Sequence, residues 1–270
     1  MMILTPLRQF QFPVIAECIN PDVFQGKSMN EIAALEVWEG NRKKKLGDLF
    51  KIQEDPAETP NIILNGESSQ VRRVGIGMKN GEIEIYGNVG MHVGEKMEGG
   101  KITVRGDAAG WAGSDMKGGL IEVLGNAADY LASPYRGSSG GMSKGKIIVH
   151  GNAGSDVAVF MKGGLIKIHG STGPFLGFRM RGGTIHVEKD VGRRVAACMT
   201  GGKIVISGIL EDIPPTFTID AIKPKVKIEE GDKANGPFYV FLGDRAEEGK
   251  GKIFVLKEKN SKLNQYEKFL

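Results

Sequence analysis

Of the four histidines, His92, His150, His169 and His186, two invite a chemical reading. His150 and His169 stand 19 residues apart, and Glu188 follows after 19 more. Two imidazoles and a carboxylate are a familiar zinc ligand set, if something places residues 19 apart on one face. The same interval separates Asp156, Phe175 and Arg194, an acid and a base in one column with a phenylalanine between them. The only cysteines are Cys18 and Cys198. Two thiols cannot hold a four-cysteine cluster, and their separation suggests reduced thiols in a cytoplasm, not a disulfide framework. No serine or cysteine is marked by a motif as a nucleophile. The glycine cluster GIGMKNG at 75–81 lacks the GxxxxGK[ST] spacing and the following helix of a phosphate loop.

The recurring interval belongs to the element that must carry these residues. MKGGLIEVLGN at 116–126 returns as MKGGLIKIHGS at 161–171, and methionines open successive units at 78, 97, 116, 142, 161, 180 and 199. The steps are 19, 19, 26, 19, 19 and 19 residues, so one unit carries seven extra. Counting each Met as position 1, position 4 is always Gly, and positions 6 and 8 are always Ile or Val. Positions 7 and 9 are mixed and often charged, the alternation of a strand with one buried face. Position 10 is Gly in every unit but that of Lys189, and position 11 is usually Asn or Asp, a corner signal because both tolerate positive φ. Position 17 is Gly or Ala. Three corners and three short sides make identical units coil, with like positions stacked at about 4.8 Å.

The expected fold is all-β: a right-handed parallel β-helix with three-sided 19-residue rungs, seven to eight of them and about 35 Å long. NIILNGESSQ from Asn61 fits as a looser first rung. The methionines should line the interior as a packed ladder. Terminal rungs need covers, so residues 1–56 are expected as an N-terminal cap, 57–208 as the coil and 209–270 as a C-terminal extension packed on it. In the first cap, 35–38 is expected to pair with 49–52 as a hairpin around the basic run NRKKK. In the second, 214–220 and 223–230 read as strands, 236–260 as a hairpin and 262–270 as a short helix.

Side chains rising in parallel from stacked rungs do not converge on one ion. His150 and His169 are therefore expected to be surface or partner-contact residues, and the chain is expected to hold no metal, no cofactor and no catalytic residue. The seven-residue insertion, within DYLASPYRGSSGGMSKG, is the departure from regularity. It puts Ser133, Pro134, Tyr135 and Arg136 on an excursion from the repeat, where binding faces tend to lie, and Tyr and Arg are favoured interface anchors. A net charge of +4, without a basic stripe interleaved with aromatics, argues against nucleic acid. No apolar run has the length of a membrane span, and no signal peptide is read at the start.

The repeated MxGGxIxVxGNAG line resembles the glutamate-synthase C-terminal β-helix superfamily. ASPYRGSSGGMSKGKIIVHGNAG and EIAALEVWEGNRKKKLGDLFKI are more narrowly similar to the C subunit of formylmethanofuran dehydrogenase. That resemblance spans nearly the whole chain. It implies a complex that reduces CO2 with ferredoxin electrons and attaches the formyl group to methanofuran, the first step of methanogenesis from CO2. It also implies partner subunits carrying a tungsten- or molybdenum-pterin, a dinuclear zinc amidohydrolase centre and iron–sulfur clusters, with this chain as a non-catalytic scaffold between them. Two alternatives stay open. One is a glutamate-synthase-like interdomain spacer. The other is a β-helix enzyme acting on an acyl or saccharide substrate, which would want clustered carboxylates or a hexapeptide signature.

Overall fold

The computed structural model describes residues 1–57 and 59–270. Strands Ile62–Asn65, Glu82–Tyr86, Lys101–Val104, Leu120–Val123, Lys146–Val149, Leu165–Ile168, Thr184–Val187 and Lys203–Ile206 lie side by side in parallel. Each pairs with the next in one register: Ile83 lies on Ile102, then Ile121, Ile147, Ile166, Ile185 and Ile204. These isoleucines and the position-8 residues two places on are fully buried, as the alternation predicts.

The chain returns to this register by two further sides. On the second, the position-12 residues Val89, Ala108, Ala127, Ala153, Thr172, Val191 and Leu210 form single parallel bridges, rung to rung. On the third, the position-17 amide donates to the position-16 carbonyl one rung earlier, as from Gly113 to Val93 and from Ala158 to Leu131, both at 2.8 Å. The seven methionines are fully buried, as expected of core filling. The first six methionine carbonyls accept from the position-2 amide of the next rung, as Met161 does from Arg181 at 2.7 Å, and that of Met199 accepts from Asp244 N at 2.8 Å.

Two kinds of glycine serve the corners. Position 4 is left-handed, for example Gly164 at φ 91° and Gly202 at φ 93°, where a side chain would be strained. Position 10 corrects the reading of Gly-Asn as a positive-φ corner. A Cβ on Gly106 or Gly151 would meet the backbone of the rung before it at 2.6 Å, so close stacking excludes it. The position-11 side chain instead accepts from the next rung: Asp107 Oδ1 from Asn126 N at 2.6 Å, and Asn126 Oδ1 from Asn152 N at 2.9 Å.

Both ends of the sheet are covered by strands that extend it. Met2–Pro6 joins Ile62–Asn65 in parallel and is itself covered by the antiparallel Phe50–Glu54. The expected pairing of 35–38 with 49–52 is therefore corrected. Glu36–Glu39 pairs with Arg42–Lys45 around Gly40 and Asn41, so the basic run is an edge strand, not a loop. Lysine on an edge discourages pairing with another chain. At the other end Gly251–Leu256 continues the register, with Ile253 on Ile204 and Val255 on Ile206. It pairs with Asp232–Gly243, which pairs with Thr218–Glu229, so the expected strands 214–220 and 223–230 are replaced by one long strand broken by bulges. The terminal helix is of the tight 3-10 type, Ser261–Phe269.

The long hairpin folds back over the outer face of the last rungs. Val226, Ile228, Phe238 and Val240 bury against Leu165, Val205 and Phe254 in a second apolar cluster. Lys146 reaches Glu229 and Lys167 reaches Asp232, both at 2.6 Å. His186, pointing outward at position 7, is thereby buried, and burial pushes its pKa below the usual histidine range.

Candidate interaction surface

The His150 column is built by strand register. The two rings lie 5.1 Å apart, tilted by 39°, yet each is paired with its own carboxylate. His150 Nε2 is 3.0 Å from Glu122 Oε1, and His169 Nδ1 is 2.8 Å from Glu188 Oε1. The His150 contact, first of all, holds the Glu122 carboxyl below its usual range. Among the described residues, no group of three or more His, Cys, Asp or Glu side chains is arranged to hold a metal ion.

The corner at position 15 is more unusual. Its residues take left-handed backbone, where bulky side chains are rarely tolerated: His92 (φ 66°), Trp111 (61°), Tyr130 (64°), Asp156 (56°), Phe175 (63°) and Arg194 (60°). Rung stacking turns the first three into a ladder of rings. His92 lies 5.5 Å from Trp111 with planes 9° apart, and Trp111 lies 4.5 Å from Tyr130 at 8°. Below His92, Glu95 is buried and held under the usual carboxylate range, chiefly by His92, whose Nδ1 is 3.1 Å from Glu95 Oε2. His92 Nδ1 and Glu95 Oε2 are buried with this ion-pair contact but no hydrogen-bond partner, and Trp111 Nε1 is likewise buried without one.

The insertion packs back onto this ladder. Ser133 starts it: its Oγ donates to Asp156 O at 2.6 Å and accepts from Val159 N at 2.9 Å. The repeat resumes at Gly141, whose amide donates to Asp115 Oδ1 at 2.6 Å. Between them Tyr135 leans over Trp111 and His92, at 6.0 and 6.3 Å, while remaining 63% exposed. Arg136 covers the Tyr130 ring and donates from Nη2 to its hydroxyl at 2.9 Å.

Of the residues expected at a partner contact, Tyr135 and Arg136 are exposed together. Ser133 and Pro134, by contrast, are buried, and Ser133 spends its hydroxyl on the neighbouring rung, so in the isolated chain they shape the loop from within. His150 and His169 lie on the strand side, in a separate column. The ladder members His92, Trp111 and Tyr130 were missed. The signal was present, since they continue the Asp156, Phe175 and Arg194 column toward the N-terminus at the same 19-residue interval, once the seven extra residues between Tyr130 and Asp156 are allowed for. Asp156 and Arg194 are not paired; Arg194 stacks on Phe175 instead, at 5.2 Å.

A strand-rich repeat protein, with covered ends and an aromatic corner beneath a single inserted loop, is the class these features define. No family model matches the chain. It is 42% identical over 257 residues to the C subunit of the tungsten-containing formylmethanofuran dehydrogenase 2 of Methanococcus maripaludis, covering 93% of this chain and 94% of that one. The match to the C subunit of the molybdenum-containing formylmethanofuran dehydrogenase 1 of Methanothermobacter thermautotrophicus is 44% identical over 92 residues. There it takes in 34% of this chain and only 23% of the relative's length. In structure the chain matches one from the formyltransferase/hydrolase complex of Methylorubrum extorquens, solved with methylofuran. The TM-score is 0.87 at 28% identity, covering 94% of this chain and 99% of that one. The chain belongs to the family of formylmethanofuran dehydrogenase C subunits.

Proposed function

We propose that the chain is the rigid, non-catalytic scaffold of a formylmethanofuran dehydrogenase complex, the assembly that makes formylmethanofuran from CO2, methanofuran and reduced ferredoxin. In this reading residues 57–208 form a right-handed parallel β-helix with three-sided rungs, 1–56 cap one end, and 209–270 cap the other. The chain fixes subunits bearing a tungsten- or molybdenum-pterin, a dinuclear zinc centre and iron–sulfur clusters relative to one another in the cytoplasm, and contributes no cofactor itself. Tyr135, Arg136, His150 and His169 are its proposed contact residues.

The observation that supports this best is the unbroken register from Leu4 on Leu64 to Val255 on Ile206. A stack in which every rung bonds the next on three sides bends little, and stiffness is what positioning other subunits requires. The test is to purify residues 1–270 alone, measure bound metal, and assay formylmethanofuran formation with a reduced electron donor. The expected result is neither stoichiometric metal nor turnover, with both appearing when the other subunits are added. Turnover by the chain alone would overturn the reading.

A further inference from the structure

Below the inserted loop the same corner carries a second cluster, built on arginine. Phe160, Phe175 and Phe178 are half-buried, and three exposed guanidiniums lie over them. Arg179 sits 5.6 Å from the Phe160 centroid and 5.4 Å from that of Phe178. Arg181 is 5.4 Å from Phe160, Arg194 is 5.2 Å from Phe175, and Phe175 meets Phe178 edge-on at 6.1 Å.

Three observations bear on this cluster. Arg8, Arg73, Arg105 and Arg193 each have a glutamate partner, whereas among the described residues Arg179, Arg181 and Arg194 have no carboxylate within 4 Å; Arg42, Arg72, Arg136 and Arg245 share that, and what distinguishes these three is that they lie together over the phenylalanines. Arg193 and Arg194 are neighbours in sequence, yet only the first is paired. Next, Phe160, Phe175, Arg179 and Arg194 occupy left-handed backbone (φ 56°, 63°, 55° and 60°), where glycine would be less strained. Large side chains are kept there against the preference of the corner, a pattern that strain concentrated at functional sites would produce. Finally, the ring faces are already covered by guanidiniums, which leaves the N–H edges as the groups on offer. Those edges match carboxylates in a two-point fork.

We propose that this cluster docks a carboxylate-rich segment of a partner polypeptide. The proposal rests on the scaffold reading and gives one of its contacts a chemistry. Nucleic acid is the less favoured occupant, because it would need free ring faces for stacking bases.

The probe is a hexaglutamate peptide titrated into the isolated chain at low salt, with a short single-stranded oligonucleotide in a parallel titration. The chain should bind hexaglutamate, and binding should weaken as salt is raised. The triple variant Arg179→Gln, Arg181→Gln, Arg194→Gln should bind about tenfold or more weakly, and the matching triple Lys variant should fall between. Circular dichroism and the thermal midpoint establish that each variant is folded. If the Gln variant does not fold, the Lys variant carries the test, because it keeps the charge and removes the fork. In the co-expressed complex, reversing all three arginines to Glu should reduce recovery of the partner subunits. No hexaglutamate binding, equal binding by wild type and variants, tighter oligonucleotide binding, or full recovery after charge reversal would each overturn the docking face. None of these results bears on whether the isolated chain turns over substrate, which decides the scaffold reading separately.

Discussion

One repeat unit presents two opposite surfaces. The strand side places Ile and Val at positions 6 and 8 into a dry interior, in extended backbone and unbroken ladder. The corner at positions 15 to 19 joins successive rungs through isolated hydrogen bonds, bends the backbone into left-handed conformations, and hangs rings and guanidiniums on the outside. On the strand side the interior dictates residue type, so the columns hardly vary. At the corner the interior takes an apolar residue at position 16 and a small one at position 17, while position 15 runs through His, Trp, Tyr, Asp, Phe and Arg. Stability is concentrated in the first region, while variety, and with it the capacity to recognise something, is concentrated in the second.

Substitutions can break or sharpen that contrast. The largest loss is expected on the strand side. Ile166 is fully buried, and Ile166→Ala should cost about 2–5 kcal/mol in chemical denaturation. A loss below that range would mean that the interior relaxes more than stacked rungs should allow. Smaller is the effect of Asn126→Ala at the edge of the second side, where the side chain accepts from Asn152 N. About 1 kcal/mol is expected there, with faster amide exchange at residue 152.

The outer apolar cluster supplies a pH-dependent test. His186 is buried with its pKa lowered by that burial, so the unfolded or undocked state binds its proton more readily than the native state does. The stabilisation is therefore present above the unfolded value of about 6.5, and is lost as pH falls from there through the lower native value. Thermal midpoints should drop across that window, and His186→Leu should flatten the drop. A midpoint that rises on acidification would show that His186 is not buried neutral beneath the hairpin. The smallest change in fold stability belongs to the corner. Tyr135→Ala with Arg136→Ala should alter the isolated chain by about 0.5 kcal/mol or less, because both project from the repeat. Recovery of the assembled complex should nonetheless fall, measured by the stoichiometry of its subunits after dilution. Unchanged recovery would remove the loop from the contact surface.

Much of the strand side was legible before any coordinates. Ile83 to Ile204, the methionine column and the left-handed glycines of position 4 follow from a period that constrains each unit alike. The corner was half legible. Asp156, Phe175 and Arg194 were recognised as one column, but nothing in the interval said that His92, Trp111 and Tyr130 would stack face to face. The N-terminal hairpin was misplaced because Arg42–Lys45 carries no alternation, and its strand is defined by pairing with Glu36–Glu39 alone.

By itself the sequence determined the rung length, the buried columns and the places where the chain must turn. Those features repeat, and each copy reports the same local steric and hydrophobic demand. Only the tertiary structure decided three other things. The insertion folds back so that Tyr135 and Arg136 close over Trp111 and Tyr130. The 218–243 hairpin turns outward His186 and Val205 into a second core. Position 10 needs glycine because the rung before it lies too close for a Cβ. The first two depend on contact between segments that share no period, so no interval in the sequence records them; the third depends on the distance between rungs, which the period repeats but does not state.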